Sequence, residues 1–255
     1  MNRTWRLVVH GPSGPAWNMA VDEALLESAT AGSGGTLRVY QWCRPTVSLG
    51  YFQSARQSQL ETLLERNQVA LVRRLTGGGA IVHHREWTYS LTLPSGHPLA
   101  RQHQDLYARV HQCWAEVLRE LGVAAWVVEQ PPPKQEPEPF LCFLRRSPGD
   151  GVASGEHGTV KLAGSAQRRR RGGLLQHGSM LLGKPAWPQH PPGLAELLGR
   201  EPDPQALLQD WLRRVESLFE VQLVPGQLTA EEKSAALRLL ATRYLRPQWT
   251  LRQAG

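Results

Sequence analysis

The spacing of apolar residues along the chain predicts several amphipathic helices. Apolar residues at positions 17, 20, 21, 24 and 25 fall on one helical face. A second helix ends at Gly122, and its apolar face carries Leu106, Val110, Cys113, Trp114, Val117, Leu118 and Leu121. A third carries Leu207, Leu208, Trp211, Leu212, Val215, Leu218 and Phe219. Thr229 and Glu232 form a capping box that opens a last helix, expected to reach about Leu245.

Shorter apolar runs predict strands between these helices. Residues 37–42 and 47–52 flank a Cys-Arg-Pro turn, residues 87–93 alternate as a half-buried strand should, and further strands are predicted over 69–73, 123–128 and 174–182. The order is not a regular βαβ repeat, so the pattern predicts a mixed-sheet α/β or α+β fold. The proline-rich residues 131–139 predict a surface loop too short to separate domains, so we expect one domain over residues 1–255.

Composition narrows the class of protein. No apolar run approaches the roughly 20 residues of a membrane-spanning helix, and the first 15 residues lack the pattern of a secretory signal. The three cysteines are an odd number, which indicates reduced thiols and a cytoplasmic protein. The net charge of +7 attracts nucleic acid, anionic membranes or acidic proteins. Arg168–Arg171 is either a solvated loop or a landing patch for an acidic partner, and it lacks the interleaved aromatics typical of nucleic-acid binding.

Residues 73–84, RRLTGGGAIVHH, are the first candidate for chemistry. Three consecutive glycines let a ligand lie against bare backbone, and arginine pairs bind carboxylate or phosphate. The segment lacks the Gly-Lys-Ser/Thr ending of a phosphate-binding loop and the spaced glycines of a dinucleotide site. A hairpin turn with solvated arginines explains it equally well from local features.

Two single residues are the next candidates. Lys161 stands between apolar and small residues, where an ammonium can stabilise charge that develops in a reaction or can simply snorkel to solvent. Cys142 precedes two arginines, and positive charge favours a nucleophilic thiolate, although burial as a small apolar residue is the commoner fate of a free cysteine. Cys113 fits that burial well, and Cys43 is ambiguous.

Taken in order, these segments resemble the biotin/lipoate protein ligase superfamily. The likeness runs from about Trp5 to Trp249 and rests on WNMAVDEALL, TLRVYQWCRPTVSLGYFQ, RRLTGGGAIVHH, EWTYSL, the Cys142-Phe143 pair, KLAGSAQRR, LQHGSMLL and YLRPQWT. It implies a mixed sheet flanked by helices, like the catalytic domain of class II aminoacyl-tRNA synthetases and biotin synthetases.

The resemblance implies a choice of activities. Lipoate-protein ligases use ATP and magnesium to form an acyl-adenylate, whereas octanoyltransferases and amidotransferases pass the acyl group through a cysteine. Cys142-Phe143 and the complete GSAQ and LQHGS strings favour the cysteine-dependent octanoyltransferases. Two alternatives stay open at this point: an ATP-dependent lipoate-protein ligase and a non-catalytic basic binding module.

Carried over by position, the resemblance makes Cys142 the acyl-thioester nucleophile and Lys161 the cation that promotes its thiolate. The substrate-binding residues would be Arg74, Gly77, Gly78, Gly79, Ala80, Ile81, His83, Ser165, His177 and Gly178, with structural hydrogen bonding favoured for both histidines. It implies no metal and no bound cofactor. The implied partners are acyl carrier protein and lipoyl domains, including those like glycine cleavage H protein, and neither nucleic acid nor a membrane.

The sequence also departs from the family pattern. His84 stands where an acidic residue is common, and the glycine-rich residues 147–157 lie between Cys142 and Lys161. This segment has to fold so that the two candidate residues meet.

Overall fold

A computed structural model describes residues 3–29, 34–55, 60, 69–130, 133, 138–170, 173–185 and 190–252. Its main sheet has eight strands in the order β11-β1-β2-β6-β10-β9-β8-β7. The strands are β1 (Thr4–Val9), β2 (Thr36–Tyr40), β6 (Glu86–Pro94), β7 (Ala125–Val127), β8 (Gly151–Gly155), β9 (Gly158–Arg170), β10 (Gly173–Leu181) and β11 (Gln222–Pro225). β1 runs parallel to β2 and β11, and the other pairs are antiparallel. The predicted mixed sheet is therefore confirmed.

A smaller sheet carries the glycine-rich segment. It consists of β3 (Thr46–Leu49) between β4 (Ala70–Arg73), which is parallel to it, and β5 (Ile81–His83), which is antiparallel. The glycines connect β4 to β5, so the predicted loop between two strands is confirmed. The predicted strand over 47–52 ends at Leu49, because residues 50–53 turn back against the glycines.

Helices pack on the main sheet and close its core. They are α1 (Pro15–Ser28), α2 (Pro98–Arg101), α3 (His103–Glu120), α4 (Leu194–Leu198), α5 (Pro204–Phe219), α6 (Ala230–Leu239) and α7 (Pro247–Thr250). The core beneath α3 and α5 includes Trp114 and Trp211, whose rings stack with centroids 4.8 Å apart. A second core joins α1 to α6 and contains Met19, Tyr40 and Tyr244. The three predicted long helices and the capping box at Thr229 are confirmed, although a π-helical turn, Leu240–Tyr244, follows α6.

The prediction that residues 87–93 form a half-buried strand is wrong. β6 lies between β2 and β10, and all its residues up to Leu93 are buried. Its alternation remains visible because the hydroxyls on one face enter a buried polar network, where the Ser90 hydroxyl donates to Asp22 at 2.8 Å. Strict alternation thus records the chemistry of each face and not its exposure to water.

Three further sequence features have a structural outcome. Arg168–Arg170 belong to β9 and not to a loop, while Arg171 lies outside the described residues. Most of the predicted proline loop, residues 131, 132 and 134–137, also lies outside them. Among the helices that the structure describes, none is both long and apolar enough to cross a membrane.

Candidate active site

Cys142 begins a single 3₁₀ turn, Cys142–Leu144, that is held against the glycine-rich loop. The Cys142 N–H donates to the carbonyl oxygen of Ala80 at 2.7 Å, and the Ala80 N–H donates to Phe140 at 3.0 Å. Gly79 packs against this bridge so closely that a Cβ on it would lie 3.0 Å from the Cys142 backbone nitrogen. A side chain there would push the backbone of Cys142 away. Gly79 and Ala80 therefore position Cys142 through the main chain.

Arg74 shapes the loop from inside. Its guanidinium is buried and donates to the carbonyl oxygens of Gly77 and Gly79, each at 2.7 Å, and to Ser48 at 2.9 Å. Burial lowers the pKa of Arg74 to about 10, with Arg73 contributing by repulsion. Most of the Arg74 guanidinium donors therefore bind backbone carbonyl oxygens and not the carboxylate or phosphate that the sequence suggested.

Lys161 reaches Cys142 from β9. Its Nζ lies 3.7 Å from Cys142 Sγ, and only 4% of the residue is exposed. A β-bulge directs it there: Gly151 pairs with Ala163 and Val152 with Lys161, which leaves Leu162 as the extra residue. Burial alone would lower the pKa of Lys161, but the Cys142 thiolate and the Asp150 carboxylate raise it above its ordinary value. The buried ammonium is therefore charged where it faces the sulfur.

A narrow pocket with a cavity volume of about 30 Å³ adjoins Cys142. This is about the volume of one water molecule and lies well below the range of about 300–1,000 Å³ that is usual for small-molecule sites, so the walls have to move apart before a ligand can enter. Of the residues inferred from the sequence, eight line it: Arg74, Gly78, Ile81, His83, Cys142, Ser165, His177 and Gly178. Met19 and Trp42 add apolar wall. Gly77 lies outward beside Phe52, while Gly79, Ala80 and Lys161 act from behind the pocket on Cys142.

His177 belongs to a buried network on one wall. Its Nδ1 lies 3.1 Å from Asp22 Oδ2, and its Nε2 lies 2.5 Å from Thr76 Oγ1. A carboxylate only accepts, so Nδ1 carries the proton and Nε2 accepts from the Thr76 hydroxyl. Burial lowers the pKa of His177, which keeps the ring neutral. Asp22 also pairs with Arg38 at 2.7 Å.

His83 belongs to a second network. Its Nδ1 lies 2.5 Å from Glu86 Oε1, its Nε2 lies 2.7 Å from Ser48 Oγ, and Trp42 stacks on the ring with centroids 4.0 Å apart. Every ring nitrogen of His83 and His177 has a partner within the protein. This agrees with the structural hydrogen bonding expected for both histidines.

Ser165 connects the pocket to α3. Its hydroxyl lies 2.6 Å from His111 Nε2 and 2.6 Å from the Tyr89 hydroxyl. Gly178 faces it across β9 and β10, and a Cβ on Gly178 would collide with the Ser165 hydroxyl. The strand pairing therefore depends on glycine at this position.

Sequence reasoning missed the buried acids of the site, Asp22, Glu86 and Asp150. Asp22 lies in the helix motif WNMAVDEALL but off its predicted apolar face, and it is buried because every residue from Asn18 to Leu26 is buried. Asp150 stands between two glycines and is fully buried. Among the described residues, no group of three or more His, Cys, Asp or Glu is placed to hold a metal ion.

The three described residues of the arginine run, Arg168–Arg170, all have partners within the protein. The Arg168 guanidinium lies over the Tyr51 ring, 4.6 Å from its centroid. Arg169 donates to the Ala100 carbonyl, and Arg170 pairs with Glu23. Cys113 is buried and Cys43 is exposed, so Cys142 is the thiol that borders the pocket.

Comparison with known proteins gives these features a context. Residues 14–184 match the family model of the lipoyl protein ligase A/B catalytic domain. The octanoyltransferase LipM of Moorella thermoacetica is 36% identical to this chain over 98% of each sequence. The octanoyltransferase LipM of Kyrpidia tusciae is 33% identical over 98% of this chain and 100% of its own.

Solved structures share the fold. The lipoate protein ligase of Thermoplasma acidophilum with bound lipoic acid superimposes with a TM-score of 0.78 at 21% identity, covering 97% of this chain and 99% of its own. A lipoate-protein ligase A bound with ATP gives a TM-score of 0.77 at 21% identity, covering 98% and 99%. Together with the family match over residues 14–184, the near full-length relatives establish that this chain belongs to the lipoyl protein ligase A/B catalytic domain family.

Proposed function

We propose that this chain is a cytoplasmic octanoyltransferase that carries the acyl group on Cys142 and delivers it to a lysine of a lipoyl domain. The observation that carries the proposal is the pairing of Cys142 Sγ with the buried Lys161 ammonium at 3.7 Å, beside a narrow pocket. The relatives named octanoyltransferases, which match over nearly the full length, support it. We propose further that residues 1–255 act as one catalytic domain.

The first half-reaction captures the acyl group. The Cys142 thiolate attacks the thioester carbonyl carbon of the donor, a carbon–sulfur bond to Cys142 forms, and the donor's carbon–sulfur bond breaks. Lys161 gives its proton to the departing thiolate, so the donor leaves as a thiol and Lys161 is left neutral. One thioester replaces another, and the step is nearly balanced in energy.

The second half-reaction forms the amide. The neutral Lys161 takes one proton from the ammonium of the incoming lysine, and the resulting amine attacks the acyl-cysteine carbonyl. A carbon–nitrogen bond forms, the bond to Cys142 breaks as its thiolate leaves, and the second ammonium proton passes to solvent. Lys161 and Cys142 return to their starting ion pair. The route needs no metal ion and no bound cofactor.

The pocket, about 30 Å³ in this structure, widens to hold the acyl chain in this scheme. Met19, Trp42 and Ile81 supply apolar wall, and Gly78 lets the chain approach the backbone. The donor is acyl carrier protein, and the acceptors are lipoyl domains, including those like glycine cleavage H protein. These carriers are typically acidic and suit a protein with a net charge of +7. The fully paired histidines hold the pocket in shape.

Intact-protein mass spectrometry tests the proposal. Wild type and Cys142→Ser are incubated with octanoyl-acyl carrier protein in the absence of ATP. We expect one octanoyl adduct on wild type, removed by hydroxylamine and absent from Cys142→Ser. Cys43→Ser is the matched control, because Cys43 is exposed and lies outside the pocket lining. It should acquire the adduct as wild type does.

Three outcomes would contradict the proposal. Formation of the adduct on Cys142→Ser would remove Cys142 from the mechanism. Failure of both octanoyl-acyl carrier protein and an octanoyl-loaded lipoyl domain to modify the enzyme, together with transfer of free lipoate that requires ATP and magnesium, would establish the ligase activity instead. Salt-sensitive nucleic-acid binding with no acyl transfer would identify a binding module.

A further inference from the structure

The glycine-rich segment between Cys142 and Lys161 brings a third charged residue to the site. Asp150 is fully buried, and its Oδ2 lies 2.8 Å from Lys161 Nζ. The Ser147 N–H donates to the same oxygen at 2.7 Å, and the Tyr107 hydroxyl donates to Oδ1 at 2.6 Å. A buried carboxylate is costly unless it is paired and hydrogen-bonded. Here three donors meet that requirement and fix its position.

Glycines make this arrangement possible. Gly149 has φ of +89°, and a Cβ there would lie 2.5 Å from the Tyr107 ring. Across the strands, a Cβ on Gly164 would lie 2.6 Å from Lys161 Cε. Gly149 and Gly164, which flank the Asp150–Lys161 pair, therefore have no room for side chains. The segment that separates Cys142 from Lys161 in sequence is the one that builds the support for Lys161.

Two titratable groups near Lys161, Tyr107 and His111, carry no charge near neutral pH. Tyr107 of α3 has a pKa raised well above its ordinary value by burial and by Asp150. His111 of α3 has a pKa lowered to about 4, mainly by burial. Arg74 faces the site from the Cys142 side and, with a pKa of about 10, is a second cation there. The groups whose negative charge faces the Lys161 ammonium directly are the Asp150 carboxylate and, in its thiolate form, Cys142.

Acylation changes this balance. The thiolate becomes a neutral thioester, and Asp150 is then the one carboxylate that contacts Lys161 in the part of the chain that the structure describes. A carboxylate at 2.8 Å favours the protonated form of an amine. It therefore strengthens Lys161 as a base at the stage when the incoming lysine has to lose a proton.

We propose that Asp150 is a positioning residue that makes Lys161 the proton acceptor of the second half-reaction. The inference rests on the proposed acyl-cysteine route. Asp150 itself gains and loses no proton: one proton moves from the acceptor ammonium to the neutral Lys161, and Asp150 stabilises the ammonium that results. Loss of Asp150 should accordingly slow amide formation more than it slows acylation.

Asp150→Asn tests this asymmetry, because it keeps the size of the side chain and removes its charge. Rapid-quench mass spectrometry gives the acylation rate constant with octanoyl-acyl carrier protein and then the transfer rate constant after a lipoyl domain is added. We expect transfer to fall by about 10²-fold, the scale of general-base catalysis, and acylation to change by less than about tenfold. The acyl-enzyme should accumulate.

The pH dependence supplies a readout that a merely structural role would not move. Without Asp150 one contribution that raises the pKa of Lys161 is lost, so the alkaline limb of the acylation profile, where Lys161 must be protonated, should move to lower pH. Tyr107→Phe removes one donor to Asp150 and should shift both readouts in the same direction by less. Asp105→Asn is the matched control, because Asp105 is an exposed carboxylate on α3, the helix that carries Tyr107. This variant should resemble wild type in both readouts.

These experiments distinguish failure of the acyl-cysteine route from failure of the role proposed for Asp150. If wild type forms no hydroxylamine-labile adduct, the acyl-cysteine route itself fails. If wild type forms it, but Asp150→Asn leaves both rate constants unchanged or lowers both equally, the role given to Asp150 is wrong. The same conclusion holds if Asp150→Asn is unfolded by thermal denaturation and the folded Tyr107→Phe shows no excess loss in transfer.

Discussion

Substitution of Gly164 by alanine should abolish much of the activity while leaving the fold intact. The Cβ would lie 2.6 Å from Lys161 Cε, 3.0 Å from Nζ and 3.7 Å from Asp150 Oδ1. Carbon atoms in contact prefer about 3.5–4.0 Å, so the end of Lys161 has to move by about 1 Å. With 4% of Lys161 exposed, it has no path to solvent and must move within the site.

The expected loss follows from that displacement. A misplacement of about 1 Å can cost about 10²-fold in rate, which corresponds to about 2.7 kcal/mol in the barrier. The atoms displaced are the end of a flexible side chain and not backbone. The free energy of unfolding should therefore fall by about 1 kcal/mol, the low end of the usual cost of overpacking. Gly164→Ala should therefore reduce the rate of the reaction strongly while it reduces the stability of the fold only slightly.

The assay is the single-turnover acylation of Cys142 followed by mass spectrometry, with urea unfolding of the same preparations. Gly11→Ala is the matched control, because no atom lies within 4 Å of the Cβ it would introduce. A folded Gly164→Ala enzyme that acylates as fast as wild type would refute the reasoning. It would show that the position of the Lys161 ammonium does not limit the reaction.

Three other predictions concern stability. Asp22→Asn leaves the buried Arg38 without its charge partner at 2.7 Å and should lower the free energy of unfolding by about 3–5 kcal/mol; a loss below about 1 kcal/mol in urea unfolding would contradict this. Gly178→Ala places its Cβ 2.5 Å from the Gly164 carbonyl oxygen and against the Ser165 hydroxyl, so it should cost about 3 kcal/mol or more, and a melting temperature equal to wild type would contradict it. Burial lowers the pKa of His111 to about 4, so the unfolded chain binds a proton that the folded protein does not, and stability should fall as pH drops below about 6.5, by about 2 kcal/mol at pH 5. His111→Gln should flatten that dependence in urea unfolding at pH 7 and pH 5, and an unchanged slope would show that another group is responsible.

Helices and strands with a clear period could be predicted because periodicity is local. The helix that carries Cys113 and the turn of glycines between β4 and β5 needed only the residues within them. Burial could not be predicted in the same way. The hydroxyl residues around Ser90 on β6 have the pattern of a solvent-exposed strand face. They are buried because α1 covers them, and its residues lie some 70 positions earlier in the chain.

The residues of the site also differ in whether local sequence predicts them. Cys142 and Lys161 could be inferred because their neighbouring residues resemble known motifs, whereas Asp150 has no motif of its own. Its hydroxyl donor, Tyr107, lies 43 positions away on a different element. The position of Lys161 also depends on a one-residue bulge, and no pattern of apolar residues indicates which strand will carry one. Long-range partners therefore account for most of what sequence reasoning missed.

The hydrogen bonds of Arg73 have a consequence for the order in which the protein matures during translation. Its guanidinium donates to the carbonyl oxygens of Gly50 at 2.7 Å, Thr250 at 3.0 Å and Arg252 at 3.1 Å. Thr250 is 177 positions later in the chain than Arg73. While the ribosome still holds residues 250–252, Arg73 lacks these late acceptors, and the base of the glycine-rich loop beside it is incomplete. The nascent chain therefore completes its active site only once residue 252 has left the ribosome.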